Sequence, residues 1–169
     1  MMTSQELRTS PLFENISYED YRRMLTCFQA VQRSFLPEEM IYDFAGSRAD
    51  AIGIVEHGNA SLIRIDEEGV ATVLEEMGPG GVFGRNLAFA GSMGDSLEVV
   101  ARSACDILFI DYPHLLRRCQ NACTYHSVLV QNMLGLLRDK AQALSERVDV
   151  LSRRSIRDKL LCYFHQQAE

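Results

Sequence analysis

The sequence contains no apolar run long enough to cross a bilayer, which takes about 20 consecutive apolar residues. Its start, Met1-Met2-Thr3-Ser4-Gln5-Glu6, has no basic segment leading into an apolar one, so no signal peptide is read there. Basic residues are in deficit. The net charge of -6 argues against this chain alone being a strong nucleic-acid binder, because phosphate binding needs a basic face. The five cysteines (Cys27, Cys105, Cys119, Cys123, Cys162) are odd in number and scattered, which fits reduced thiols in a cytoplasm rather than a disulfide framework. Histidine is scarce. Between Ala30 and Ile110 only His57 occurs, in a turn, so the inward-facing histidine set of a metal-dependent β-roll enzyme is missing. Glycine itself nearly vanishes after residue 111, and this loss marks a change of organisation.

Before that point the chain reads as short strands joined by tight turns. Ser17 or Asn15 caps a helix from Tyr18 to Phe28, with Glu19 and Asp20 in its first turn, and Pro11 separates it from a shorter helix before it. Val31 to Phe35 alternates, then Pro37-Glu38-Glu39 breaks the run. Ala51 to Glu56 and Ser61 to Ile65 flank His57-Gly58-Asn59, a hairpin signal. Asp66-Glu67-Glu68-Gly69 is a second turn, leading into a strand from Val70 to Met77. Gly78-Pro79-Gly80-Gly81 forces an irregular corner, and Leu97 to Ala101 and Cys105 to Ile110 complete the strands. Many short strands point to a barrel or sandwich.

After residue 111 helix formers take over. Val130, Leu134, Leu137, Ala141, Leu144, Val148 and Leu151 alternate spacings of four and three, a heptad seam held for about three heptads. Such a helix, from Ala122 to about Leu151, spans roughly 45 Å. A second row, Leu129, Met133, Leu136 and Ala143, lies beside it. The expected solution packs this row on the barrel and the seam on the same helix of a second chain, giving a homodimer. Ser152 then restarts a helix that sets Ile156, Leu160 and Phe164 on one face. An apolar face there with nothing downstream to cover it suggests a fragment whose next domain has been cut away.

Three motifs suggest chemistry and are set aside. Gly94-Asp95-Ser96-Leu97 spells a hydrolase string, but no histidine is placed to activate Ser96. Cys119, Cys123 and His126 resemble a metal set that lacks a fourth ligand. Glu38-Glu39, Asp66-Glu67-Glu68 and Glu75-Glu76 fall in turns and at strand ends, where charges are simply solvated. The chain is therefore not read as an enzyme, and no cofactor or metal site is assigned.

The string Gly58, Asp66-x-x-Gly69, Met77-Gly78-Pro79-Gly80, Phe83-Gly84, Leu87-Ala88 and Val99-Val100-Ala101, followed by Ile107 to Asp111 and a heptad helix, resembles the Crp/Fnr family of bacterial transcription regulators. The resemblance runs from about Leu12 to Gln167. It implies an α+β chain: a double-stranded β-helix (jelly roll) flanked by N-terminal helices and followed by a long C-terminal dimerisation helix. The expected divisions are a cyclic-nucleotide-binding-like sensor over residues 1–118, the dimerisation helix over 119–151, and the linker and first helix of a truncated DNA-binding domain over 152–169. The implied partners are a second copy of the chain, DNA through a domain missing from this chain, and a small-molecule effector of unknown identity. The expected ligand-binding residues are Phe83, Gly84, Arg85, Asn86, Leu87, Ala88, Ser96 and Leu97, with a wall from the long helix.

Two positions depart from the pattern. Members that bind cyclic nucleotides carry Glu after Phe-Gly to take a ribose hydroxyl; here it is Arg85. Their phosphate-clamping Arg corresponds to Asp95, followed by Ser96. An anion where a phosphate must sit is repulsive and removes a bidentate clamp, so cyclic AMP or GMP is not expected in the usual pose. The iron–sulfur type of member is unsupported, since residues 1–26 contain no cysteine. The alternative reading is a stand-alone binding module that regulates a partner protein.

Overall fold

The computed structural model describes residues 10–46, 51–84, 96–116 and 124–168. A single 3-10 turn, Pro11–Phe13, precedes α1 (Tyr18–Cys27). Ser17 caps α1, its Oγ accepting from the Asp20 N–H at 3.1 Å, while Asn15 takes positive φ in the connection. Among the described residues eight strands follow: β1 (Val31–Phe35), β2 (Met40–Asp43), β3 (Ala51–His57), β4 (Ala60–Ile65), β5 (Ala71–Met77), β6 (Val82–Gly84), β7 (Ser96–Ala101) and β8 (Cys105–Asp111). Then come α2 (Tyr112–Leu116), α3 (Thr124–Ser152) and α4 (Ile156–Gln166).

The strands form two antiparallel sheets, ordered β1-β8-β3-β6 and β2-β7-β4-β5, the expected jelly roll. β2 and β6 have no counterpart in the sequence reading. At four and three residues they are too short to show a period, and long-range partners hold them: β2 pairs with β7 and β6 with β3.

Successive strand residues face opposite ways, so each strand serves two layers. Val55, Leu62, Phe83, Leu97, Val99 and Ile107 belong to the cluster that fills the roll. Ile52, Ile54 and Glu56 have the other parity on β3. Glu56 is fully buried there, accepting from the Tyr21 hydroxyl of α1 at 3.0 Å. The start of α3 joins the same unit. Leu129 is fully buried, the His126 ring meets Phe28 edge-on at 5.5 Å, and the Asn132 amide donates to the Leu12 and Glu14 carbonyls at 3.0 and 2.7 Å.

The first compact unit ends at Asn132 and the second begins at Met133, within α3. In the second unit α4 folds back on the end of α3, with the Gln166 side chain donating to the Glu146 carbonyl. The helix does not restart at Ser152 as the sequence suggested. Ser152 stays in α3, its Oγ donating to the Asp149 carbonyl at 2.8 Å, whereas Ser155 accepts from the Asp158 N–H and caps α4. The Arg153 guanidinium bonds both Asp149 oxygens at 2.8 Å, and the Cys162 thiol donates to one of them. Arg153 first, then Cys162, holds the Asp149 carboxyl below its ordinary range. Among the described residues no helix is long and apolar enough to cross a membrane.

Gly135 lies within the continuous helix α3 with no packing reason in the single chain, since a Cβ there meets nothing within 4 Å. Glycine costs a helix interior roughly 0.5–1 kcal/mol relative to alanine. Gly135→Ala is therefore expected to raise unfolding stability by about that amount, readable as a higher urea midpoint at unchanged slope. A lower midpoint would mean that the glycine is required by a neighbour.

Candidate functional site

Of the expected ligand residues that the structure describes, Phe83 and Leu97 belong to the cluster that fills the roll, Gly84 ends β6, and Ser96 faces away from Leu97. Phe83 lies in the core of the roll, its ring centroid 6.0 Å from that of Tyr42 and 6.2 Å from that of Phe109. Gly53 sits directly opposite Phe83 in the β3–β6 pairing, and a Cβ on Gly53 would run into the Phe83 ring. Gly84 takes φ +153°, and a Cβ there would lie 2.7 Å from the Ala51 carbonyl oxygen. Only glycine allows β6 to end in this conformation against β3. Leu97 is buried in the roll. Ser96, one residue earlier, faces the other way, its hydroxyl 3.5 Å from the Glu98 carboxylate on that same face. Arg85, Asn86, Leu87, Ala88 and Asp95 lie outside the described residues.

Three inward-facing residues went unnoticed in the sequence. Tyr42 and Phe44 line the roll from β2 and the connection after it, with ring centroids 4.9 Å apart. The third is Arg64, opposite Leu97 in the β4–β7 register and opposite Thr72 in the β4–β5 register. Residues directly opposite across a ladder share a face, so Arg64 stands on the roll side with Leu97. Its parity, shared with Ala60 and Leu62, was legible, but the run Leu62-Ile63 hides the alternation.

Glu75 stands opposite Leu62 in the β4–β5 register, and other charged groups pair elsewhere. Asp106 accepts from the Ser34 hydroxyl at 2.6 Å and lies 3.5 Å from His57 Nδ1, and His114 pairs with Asp111 at 2.6 Å. A cavity of about 270 Å³ opens beside β4 and β5, where the Arg102 Nε donates to the buried Ser61 hydroxyl at 2.9 Å. No three His, Cys, Asp or Glu side chains gather around a metal position among the described residues. Cys119 and Cys123 lie outside those residues.

Residues 32–122, more than half of the chain, match the family of cyclic nucleotide-binding domains. The chain belongs to that family. Cyclic nucleotide-binding domains are regulatory modules rather than catalytic ones, and the jelly roll described above is their fold. No curated protein sequence matches the chain. Among solved structures, the catabolite activator protein of Thermus thermophilus is similar with TM-score 0.63 and 23% identity, over 85% of this chain and 63% of that one. A mutant of CooA from Carboxydothermus hydrogenoformans gives TM-score 0.63 and 17% identity, over 94% and 96%. The N-terminal domain of a transcriptional regulator from Streptomyces coelicolor A3(2) gives 0.52 and 18%, over 89% and 98%. The cyclic nucleotide-binding fold is thus shared along nearly the whole chain, which spans under two thirds of the Thermus protein.

Proposed function

We propose that this chain is the effector-sensing and dimerisation region of a Crp/Fnr-type transcription regulator. The observation that carries the reading is the heptad seam. Leu134, Leu144, Val148 and Leu151 are 59%, 48%, 57% and 69% exposed in the single chain. Over the same helix, Leu129 and Met133 of the neighbouring row are buried. A long helix whose neighbouring row is buried at Leu129 and Met133, and whose regular seam is open to solvent at Leu134, Leu144, Val148 and Leu151, is suited to pairing with its own copy. The names of its fold neighbours, an activator protein and a transcriptional regulator, support the assignment. In this reading a small ligand in the roll biases the packing of the paired helices, and DNA contact belongs to a further domain. In this reading the chain acts in the cytoplasm, and no cofactor is assigned to it.

The effector is not cyclic AMP held in the usual pose, because Arg85 and Asp95 stand where the ribose-binding Glu and the phosphate-binding Arg would be. Ligand binding raises the unfolding midpoint in proportion to the logarithm of ligand excess over the dissociation constant. In a thermal-shift screen, millimolar cyclic AMP and cyclic GMP are expected to leave the midpoint unmoved. A clear upward shift with either would overturn this part of the reading.

A further inference from the structure

We propose that Asn132 is a positioning residue that keys the long helix to the N-terminal turn, and that this joint sets the rotation with which α3 offers its seam to a second copy. The inference rests on the dimer reading above and names a device that regulates that pairing. The carbonyls around the Pro11–Phe13 turn divide into two sets. Those of Ser10, Pro11 and Phe13 accept from the backbone N–H groups of Phe13, Glu14 and Ile16 at 3.0, 3.4 and 3.1 Å. Those of Leu12 and Glu14 accept instead from the Asn132 side chain, 120 and 118 positions away, at 3.0 and 2.7 Å. One amide nitrogen with two N–H groups therefore completes what the turn leaves open. Leu12 is fully buried, so its carbonyl has no water to replace that donor.

The place of Asn132 on α3 gives the joint its direction. It follows the fully buried Leu129 by three positions, on the same face of the helix, and is the last residue of the first compact unit. An aliphatic side chain at position 132 would tolerate small rotations of the helix, because apolar contacts are non-directional. An amide that must meet two carbonyls of one turn tolerates far less, since hydrogen bonds weaken steeply with angle. A polar side chain that fixes the register of a helix among apolar neighbours has this physical basis. The helix runs without a break from Thr124 to Ser152, so positions beyond Asn132 inherit the rotation fixed there. Leu134, two residues on, is the first seam residue exposed in the single chain. Freeing the turn therefore spreads the seam over several rotations, of which one suits pairing.

The test uses the whole chain. Asn132→Leu keeps the shape of the side chain and drops both donors. If the competent fraction of each protomer falls to about a third, the dimer dissociation constant weakens roughly tenfold, since both protomers must hold the setting. Sedimentation reads that constant, and unmoved methyl NMR signals of Leu62 and Leu97 show that the roll is intact. Asn132→Gln retains the donors on a longer stem and is expected to fall between Asn132→Leu and the parent. A merely structural role would lower the urea midpoint and leave the dimer constant of the folded chain where it was. A second measurement needs no variant. If the joint favours pairing, pairing steadies the joint by the same factor. In the parent, the amides of Phe13, Glu14 and Ile16 are therefore expected to exchange with deuterium about threefold more slowly in dimeric samples than in samples diluted to monomer. An Asn132→Leu dimer as tight as the parent, or exchange at the turn that ignores concentration, would each overturn the proposal. Should a variant fail to fold, the parent comparison decides alone. A parent that is monomeric at every concentration removes the dimer reading and the proposal with it, whereas a dimer indifferent to Asn132 removes the proposal alone.

Discussion

Replacing Leu144 and Val148 together by aspartate is expected to leave the protomer folded and to abolish its dimer. Both side chains lie on the proposed seam and are 48% and 57% exposed in the single chain, so neither substitution opens a hole in a protomer core. In the dimer each would be covered by the partner helix. Four half-covered aliphatic side chains, two from each chain, contribute about 1 kcal/mol apiece. Their loss, about 4 kcal/mol, weakens the dissociation constant roughly a thousandfold. Aspartate adds like-charge repulsion across the seam. Sedimentation equilibrium at micromolar concentration should report a dimer for the parent and a monomer for the double variant, with matching far-UV circular dichroism. A parent that sediments as a monomer, or a double variant that still pairs, sinks the assignment of this seam.

The second large effect lies inside the roll. Phe83→Ala removes a ring that is 2% exposed and packed among Tyr42, Phe109 and the bare Cα of Gly53. Truncating a buried phenylalanine costs about 3–5 kcal/mol. Gly53→Ala acts from the other side of the same contact. Its methyl would occupy the space of the Phe83 ring and force the ring or the strand to shift, an overpacking cost of about 1–3 kcal/mol. Because the two residues share one contact, their effects should not add. Combining Gly53→Ala with Phe83→Leu, which shortens the intruding side chain, should cost less than the sum of the single changes. Urea unfolding of the four proteins measures the coupling. A Gly53→Ala variant as stable as the parent would show that the ring does not lie against Gly53.

These two experiments probe features of different legibility. The seam could be read from spacing alone, because a helix repeats every 3.6 residues and its pattern is local. Phe83 stands out in the sequence for a different reason, its place before Gly84 in a glycine-punctuated string, and the structure buries its ring in the cluster that fills the roll. Ser96 and Leu97 were grouped because they are neighbours in sequence. A strand sends neighbours to opposite faces, and only the register with β4 shows that Leu97 faces inward. Arg64 escaped notice for the converse reason. A charged residue at a strand end reads as solvated until its cross-strand partner is known, and that partner lies 33 positions along the chain.

The sequence by itself determined the elements whose causes are short-range. The first capped helix, the hairpin turns, the long helix with its heptad row and the strands of five residues or more each carry their signal within a few positions, although the choice of Ser17 over Asn15 as the cap came from the structure. The order of glycines was enough to point to the roll. Only the tertiary structure decided which residues share its interior, because that depends on pairings between strands far apart in sequence. It alone supplied β2 and β6, which exist as strands through β7 and β3. It placed the capping serine of α4 at Ser155 rather than Ser152, since two serines compete there and hydrogen bonding selects one. And it brought a guanidinium from β4 to the apolar face of β7, a juxtaposition that no local pattern encodes.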